Sequence, residues 1–314
     1  MSTALEVLEQ RLQEALGATV MGLRPVIRAL TIAIVARGHV LLQGPPGLGK
    51  TLLSKTLANA LGGTFRRVQG TADLMPSDII GVHVFDAAKR DFEFRPGPLF
   101  ADILLVDEVN RASPKTQSAL LEAMEERQVS VERKTYPLPP EFLVIATQNP
   151  GDFEGTYPLP ESQLDRFMLR IDMTYPLRVD EQAILTHYAA LNVPPQAQPP
   201  PAVSASALEA ARSCVDEVHT APELLGYILD LAQASRQHAH LSLGLSTRGV
   251  LAVLRAARIA AALRGGSFVA PDDVKEVLVM AISHRLVLAP EAMLEGVTTQ
   301  GIVQRLLAQV PVPR

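Results

Sequence analysis

Apolar residues near the start of the chain recur at helical spacing. Four leucines lie three or four residues apart and predict an amphipathic helix: Leu5, Leu8, Leu12 and Leu16. A second helix is predicted over residues 25–37, because Pro25 is a favourable first-turn residue. The pattern then changes at residues 39–43, a short apolar run that ends in a Gly/Pro cluster and is typical of a buried strand.

Strands and helices alternate in the region that follows. Further strands are predicted at residues 65–68, 103–106 and 142–146, and helices at residues 51–61 and 114–126. The strands are short and mainly apolar, without a regular alternation of polar residues. This pattern predicts an α/β fold, in which helices cover both faces of a parallel sheet.

Two insertions interrupt the alternation. Residues 82–85 and 92–95 predict one hairpin, and residues 129–131 and 135–138 predict a second. The tips of both hairpins are charged, which favours solvated turns over partner contacts.

The composition changes near Val193. Residues 193–201 form a Pro-rich linker or exposed loop, and the chain beyond them is rich in Ala and Leu, as in residues 249–263. A length of 314 residues agrees with two domains. We predict a nucleotide-binding core over residues 1–177, including the N-terminal helix, and a helical domain over residues 178–314.

Composition and charge exclude several classes of protein. Hydrophobic residues make up 47% and charged residues 20%, so a sizeable core is expected, and the net charge of −4 argues against a protein held mainly by nucleic-acid phosphates. The single cysteine, Cys214, excludes an internal disulfide and favours a reducing compartment. The N-terminus lacks the basic and apolar runs of a signal peptide, and the longest apolar stretch, residues 29–36, is too short to cross a membrane. A soluble, cytoplasmic protein is therefore expected.

Residues 44–51 read Gly-Pro-Pro-Gly-Leu-Gly-Lys-Thr and fit the pattern G-x-x-x-x-G-K-[ST] between a predicted strand and a predicted helix. Glycines let backbone N–H groups close around phosphates, and the helix N-terminus adds partial positive charge. Lys50 would reach the β- and γ-phosphates, and Thr51 would hold Mg²⁺. The predicted nucleotide contacts in this phosphate loop are Gly44, Pro45, Pro46, Gly47, Leu48, Gly49, Lys50, Thr51 and Leu52.

A second candidate lies at the end of the strand predicted at residues 103–106. Asp107 and Glu108 follow it directly, and at the carboxyl end of a parallel strand such residues face the ligand crevice. Beside a phosphate loop, Asp107 would join the Mg²⁺ shell and Glu108 would polarise the attacking water. Read alone, the same run could be a strand that enters a solvated turn.

Other polar residues carry little information by themselves. Asn149 reads as a turn residue or as one that orients water or contacts the γ-phosphate, and Arg166 and Arg248 read as surface arginines. His238 and His240 are two apart on a predicted helix and so do not share a face, which argues against a metal site there.

Taken together, these motifs resemble those of the AAA+ ATPases, and most closely the MoxR branch of the clade with a helix-2 insert. The resemblance is dense over residues 20–171 and looser through the helical domain to Arg248. Beyond the phosphate loop, the segments that carry it are residues 74–82, 94–100, 104–112, 117–129, 146–150 and 164–167.

The resemblance implies roles for residues that spacing alone does not assign. Asn149 matches the sensor of the γ-phosphate, Arg166 matches the arginine finger that reaches a neighbouring subunit's site, and Arg248 matches the lid arginine that senses nucleotide. The positions that match adenine contacts are Val20, Met21 and Gly22. Asn110 and Arg111 stand out directly after Glu108 in the family pattern, and we expect them near the subunit interface or at the cap of the next helix.

The implied function is ATP hydrolysis, with ATP and Mg²⁺ bound at the interfaces of a homo-oligomeric, hexameric ring. The sheet would be followed by an all-α lid, and the ATPase cycle would remodel or mature a protein partner, as a chaperone does. The resemblance also implies a von Willebrand factor A-type partner protein.

Three alternatives remain open from the sequence. The first is a motor subunit of magnesium-chelatase type, which the sequence does not distinguish. The second is a DNA-acting, helicase-like motor, against which the net charge of −4 argues. The third is a scaffold that binds ATP without hydrolysis, against which the presence of both Asp107 and Glu108 argues.

Overall fold

The computed structural model of the chain describes residues 3–17, 19–132, 134–149, 155–190 and 200–313. Residues 193–199 of the predicted Pro-rich linker lie outside the described residues, as does Arg133 at the tip of the second predicted hairpin. In chain order the strands are β1 (Val40–Gln43), β2 (Phe65–Gln69), β3 (Gly81–Asp86), β4 (Asp91–Pro96), β5 (Ile103–Asp107), β6 (Gln128–Val131), β7 (Lys134–Pro137), β8 (Leu143–Gln148), β9 (Leu169–Asp172), β10 (Leu241–Leu243) and β11 (Val287–Leu288). The helices are α1 (Ala4–Gly17), α2 (Arg24–Val35), α3 (Lys50–Ala60), α4 (Pro76–Ile80), α5 (Pro114–Glu126), α6 (Glu161–Leu164), α7 (Arg178–Ala190), α8 (Ala205–Asp216), α9 (Pro222–Arg236), α10 (Thr247–Leu263), α11 (Pro271–Ile282), α12 (Pro290–Leu294) and α13 (Thr299–Gln309).

Five parallel strands form the central sheet in the order β2-β5-β8-β1-β9. The four predicted strands are confirmed, and β9 was missed. β9 pairs with β1 at the edge of the sheet, with Val40 opposite Leu169. It alternates apolar Leu169 and Ile171 with charged Arg170 and Asp172, so it lacks the continuous apolar run that marks the central strands.

Successive side chains of the central strands enter two separate cores, as the period of two requires. Along β1, Val40 and Leu42 belong to one core and Leu41 to the other. The first core contains apolar residues of α1, α2, α3 and the later helices, and the second contains those of α5 and the β6–β7 hairpin. The prediction of a parallel sheet covered on both faces is therefore confirmed.

Both predicted hairpins are present, and they contact each other. β3 pairs with β4 and β6 pairs with β7, each antiparallel. Phe94 of β4 stacks on Tyr136 of β7, with ring centroids 4.3 Å apart. The two insertions thus share an aromatic contact on the side of the sheet covered by α5.

The chain after β9 is mainly helical, as predicted. Helix α1 packs against α2 and α3 on the sheet side and also against α8 and α10, so the N-terminal helix contacts both parts of the chain. The prediction that His238 and His240 lie on a helix is wrong, because α9 ends at Arg236 and both residues follow its end. Among the described residues, no helix is both long and apolar enough to cross a membrane.

Candidate functional site

The loop between β1 and α3 has the backbone conformation that its glycines predict. Gly44, Gly47 and Gly49 have φ angles of 155°, 84° and 75°, a region that other residues rarely occupy. At Gly47 and Gly49 an added Cβ would meet nothing within 4 Å, so the space beside the backbone is open. An open, glycine-lined concavity at a helix N-terminus is suited to phosphate oxygens.

Lys50 begins α3 and its side chain turns back over this loop. Its Nζ donates a hydrogen bond to the carbonyl oxygen of Gly44 at 2.5 Å. Burial lowers the pKa of Lys50, and the nearby carboxylates of Asp107 and Glu108 oppose that shift. Thr51 lies half-buried in the same first turn of the helix.

Asp107 ends β5 and is almost buried, with 8% of the residue exposed. Its Oδ2 pairs with the Arg67 guanidinium at 2.6 Å, and its Oδ1 accepts from the Thr147 hydroxyl at 3.2 Å. The positive charge of Arg67 stabilises the buried carboxylate of Asp107.

Glu108 follows with a left-handed backbone, φ 53° and ψ 52°, which costs a non-glycine residue about 1–2 kcal/mol. Its backbone N–H donates to the Thr147 hydroxyl at 2.9 Å. Its side chain accepts from the Gln69 amide at 3.1 Å and pairs with Arg111 at 3.1 Å. The strained backbone directs this carboxylate away from the strand and toward the end of β2.

Gly70, just beyond β2, lies directly against these two acids. Its N–H donates to the carbonyl oxygen of Asp107 at 2.7 Å. A Cβ at Gly70 would collide with the carbonyl oxygen of Glu108 and lie 2.9 Å from that of Asp107. A glycine is therefore required here by close backbone approach.

Asn149 is the first residue after β8, so it lies at the same edge of the sheet as Asp107 and the phosphate loop. The neighbouring strand ends are joined there by Gln43, whose amide donates to Gln148 at 3.0 Å. The structure thus brings Asn149, Lys50 and the two acids to one sheet edge, as predicted.

Arg166 and Arg248 share a single partner, Glu125 at the end of α5. Arg166 pairs with Glu125 Oε2 at 2.9 Å, and Arg248 pairs with Oε1 of the same carboxylate. Both arginines line a cavity of about 830 Å³. Eight arginines and four acidic residues line it, and as far as the structure describes the chain its lining includes no residue of the phosphate loop.

The predicted adenine contacts lie between α1 and α2. Val20 is buried and Met21 half-buried, while Gly22 is exposed with a φ of 79°. A Cβ at Gly22 would come within 3.0 Å of the Asp180 side chain on α7, so this turn touches the start of the helical region.

Asn110 and Arg111 form a short turn after Glu108, and neither caps the next helix. The N-cap of α5 is Ser113, whose hydroxyl accepts from the Thr116 N–H. Asn110 is buried, and its carbonyl oxygen accepts from the Tyr157 N–H at 2.6 Å. Of the two expected positions, the helix cap is therefore wrong, and a position near a subunit interface stays a prediction.

Four residues at these sites were missed by sequence reasoning. Arg67 and Gln69 lie two residues apart on β2, so their side chains are on the same face of the sheet. This spacing could have identified them once the end of the strand was known to face the ligand. Thr147, on β8, and Glu125, on α5, lie in segments that carry the family resemblance, but no local signal indicated their partners, which lie far away in the sequence.

The residues present fit a nucleoside triphosphate with Mg²⁺. The glycine cradle is open, a lysine lies over it, and the Thr51 hydroxyl and Asp107 carboxylate supply the oxygen donors that Mg²⁺ prefers. Among the described residues no group of three or more His, Cys, Asp or Glu side chains could hold a metal alone.

Comparisons with known proteins agree with this geometry. Residues 39–169 match the ATPase family associated with various cellular activities (AAA), and residues 233–306 match the AAA lid domain. The chain is 41% identical to the uncharacterized protein YeaC of Bacillus subtilis over 96% of this chain and 93% of that protein. It is 38% identical to chaperone MoxR1 of Mycobacterium tuberculosis, over 94% of this chain and 80% of that protein. A crystal structure of a candidate ATPase from Cytophaga hutchinsonii superposes with a TM-score of 0.89 at 38% identity, covering 98% of this chain and 97% of that one.

Proposed function

The chain belongs to the MoxR family of AAA+ ATPases and is an ATP-hydrolysing enzyme, and we propose that it hydrolyses ATP at the subunit interfaces of a homo-oligomeric ring. We further propose that the cycle remodels or matures a protein partner. Two parts carry this proposal: the phosphate loop with its acids at one sheet edge, and the arginine-lined cavity that holds Arg166.

The phosphate loop binds the triphosphate. The non-proline residues of the loop surround it with backbone N–H groups, since Pro45 and Pro46 have none. Lys50 exchanges its hydrogen bond to the Gly44 carbonyl oxygen for phosphate oxygens. Met21 and Gly22 lie against the base, at the turn that touches α7. Thr51 and Asp107 would hold Mg²⁺, which neutralises phosphate charge when bound.

Glu108 is the proposed general base. Its carboxylate polarises the attacking water, and the Gln69 amide, Arg111 and the left-handed backbone orient it. Asn149, at the end of the neighbouring strand, contacts the γ-phosphate or orients the same water.

Arg166 is the proposed arginine finger for the neighbouring subunit. The supporting observation is that Arg166 and Arg248 share Glu125 in a cavity whose described lining contains no residue of the phosphate loop. We propose that Arg166 leaves Glu125 and stabilises transition-state charge on the neighbour's nucleotide. We propose that Arg248, which pairs with the same Glu125 carboxylate, binds nucleotide phosphate.

A chaperone-like role follows from the family. The relative named chaperone MoxR1 aligns over nearly the whole of this chain. We propose a protein client and a von Willebrand factor A-type partner. A motor subunit of magnesium-chelatase type remains the nearest alternative, and it would require a large chelating subunit.

The first experiment measures steady-state ATP hydrolysis per subunit over a wide range of protein concentration, beside the particle mass. A rate that rises cooperatively with assembly supports sites completed by neighbours. Arg166→Ala is expected to bind ATP yet lose about 10³-fold or more in kcat, the size of an arginine-finger effect.

Two comparisons make this experiment decisive. Arg11→Ala, on α1 and away from both sites, is the matched control and should hydrolyse ATP normally. Two results would overturn hydrolysis in trans. One is turnover by Arg166→Ala equal to that of the control. The other is a rate per subunit that is the same in particles shown to be monomeric as in assembled particles. Stimulation of hydrolysis by DNA that disappears at high salt would favour the helicase-like alternative instead.

A further inference from the structure

The loop that carries Arg166 lies between α6 and β9 and has little regular structure of its own. Helix α6 is a single turn, and residues 165–168 connect it to the edge strand. Such a loop must be held by contacts from elsewhere if its arginine is to have a defined position.

Most of those contacts come from one buried side chain of the helical region, Arg285. Its guanidinium Nε pairs with Asp165 Oδ1 at 2.6 Å. Its Nη groups donate to three backbone carbonyls of the loop, those of Asp165 at 3.1 Å, Phe167 at 2.8 Å and Met168 at 3.1 Å. The Arg285 side chain is only 2% exposed, so these contacts are shielded from water.

Two further contacts tie the same loop to the helical region. His284 Nε2 lies 2.9 Å from the carbonyl oxygen of Phe167. Asp165 Oδ2 accepts from the Ser246 hydroxyl at 2.9 Å, and Ser246 is the N-cap of α10, the helix that carries Arg248. Asp165 therefore joins the loop of Arg166 to the helix of Arg248.

From this geometry we propose that Asp165 and Arg285 are a positioning pair for Arg166. This inference rests on the proposed role of Arg166 as a finger in the neighbour's site. The pair attaches residues 165–168, the finger loop, to the helical region. The position of Arg166 therefore depends on the helical region as well as on the core. A shift of about 1 Å at a catalytic group can cost about 10²-fold in rate.

The contacts also explain why an ion pair is used here. A guanidinium offers five donors in a fixed fork, so one side chain reaches the carboxylate and several carbonyl oxygens together. Burial lowers the pKa of Arg285, and the Asp165 carboxylate opposes that shift. Asp165→Asn keeps the shape of the side chain while removing its charge, and Arg285 keeps its carbonyl partners in that variant.

The test uses Asp165→Asn in the full-length protein. We expect kcat for ATP to fall about 10–100-fold, while the KM for ATP changes little, because the variant's own phosphate loop and acids are intact. A matched control is Glu141→Gln, which removes another ion pair between the core and the helical region, that with Arg212 at 2.6 Å. The control should keep its kcat.

Mixed rings separate a positioning role from a merely structural one. Asp165→Asn subunits are mixed with Glu108→Gln subunits, which lack the proposed base but keep an intact finger. We expect turnover well above the mean of the two proteins measured alone, because each Glu108→Gln neighbour supplies a finger to an intact site. Arg166→Ala in place of Asp165→Asn should be rescued in the same way.

The outcomes distinguish this inference from the proposed function. If Arg166→Ala is impaired and rescued but Asp165→Asn turns over like Glu141→Gln, the positioning pair is overturned and the finger stands. If Asp165→Asn is impaired and not rescued while Arg166→Ala is, its defect lies within its own subunit, and the inference is again wrong. Normal turnover by Arg166→Ala overturns both.

Discussion

At the scale of single residues, the candidate site depends on backbone positions as much as on charged groups. Glu108 occupies a left-handed conformation, and the strain is sustained by the Thr147 hydroxyl and by the Gly70 backbone packed against it. The backbone of Gly70 adjoins both Asp107 and Glu108.

Gly70→Ala is expected to displace Asp107 and Glu108, because its Cβ would collide with the Glu108 carbonyl oxygen. We expect a loss of about 10-fold or more in kcat, since catalytic groups act only when correctly placed. Hydrolysis and thermal unfolding should be measured together. Gly226→Ala in α9 is the control, because a Cβ there meets nothing within 4 Å, and it should raise stability by about 0.5–1 kcal/mol. Equal kcat values for the two variants would contradict the role of Gly70.

Glu108→Gln tests the proposed general base directly. Glutamine can keep a hydrogen bond to Gln69 but cannot accept a proton, so kcat should fall about 10²–10⁴-fold while ATP still binds. Binding of a fluorescent ATP analogue beside steady-state turnover is the measurement. Gln10→Ala on the exposed side of α1 is a suitable control. Loss of binding together with turnover would instead mean that Glu108 supports the nucleotide site structurally.

At the scale of elements, the N-terminal helix joins the two parts of the chain. Its four leucines are fully buried, and α1 packs against α2 and α3 as well as α8 and α10. The same stripe that predicted the helix therefore also holds the sheet layer to the helical region. The proposed boundary between residues 177 and 178 separates two parts of the sequence. One hydrophobic core nevertheless contains residues from both of these parts.

Leu12→Ala in this helix should lower the free energy of unfolding by about 2–5 kcal/mol, the usual cost of a cavity left by a buried leucine. Urea unfolding followed by circular dichroism measures the change. Val7→Ala on the same helix is the control, because Val7 is 37% exposed. A loss for Leu12→Ala no larger than that for Val7→Ala would show that the α1 packing contributes little.

At the scale of the whole molecule, two buried histidines join separate layers. His39, directly before β1, contacts the Met124 carbonyl oxygen at 3.0 Å and accepts from the Val144 N–H at 2.9 Å. Burial lowers the pKa of His39 to about 4, and the nearby Arg127 adds to the shift. Burial also lowers the pKa of His284, which lies beside Arg285 and Arg170. Both rings are therefore neutral in the folded protein at neutral pH.

Stability should consequently fall as the pH falls below about 6.5. Between the unfolded pKa of about 6.5 and the folded value of about 4, the unfolded chain binds more protons, so His39 alone costs about 3 kcal/mol of stability by pH 4. Urea unfolding at several pH values measures this slope. His39→Gln should flatten it, and His219→Gln, at an exposed position, should leave it unchanged. A slope that is the same in both variants would contradict the assignment.

Much of the fold and part of the candidate site could be predicted from sequence. The helix periods, the apolar strands, both hairpins and the phosphate loop depend on neighbouring residues, whose conformational preferences and side-chain period are local properties. Asp107, Glu108 and Asn149 could be placed together because the carboxyl ends of parallel strands meet at one edge.

Packing alone set the remaining features. The edge strand β9, the Arg67–Asp107 pair, the sharing of Glu125 by two arginines and the Arg285 contacts to the finger loop join residues far apart in sequence. No local pattern encodes such contacts, because they depend on which surfaces meet when the layers pack. The chain's own sequence thus determined its elements and its nucleotide motif, and three-dimensional packing determined which charged groups face each other.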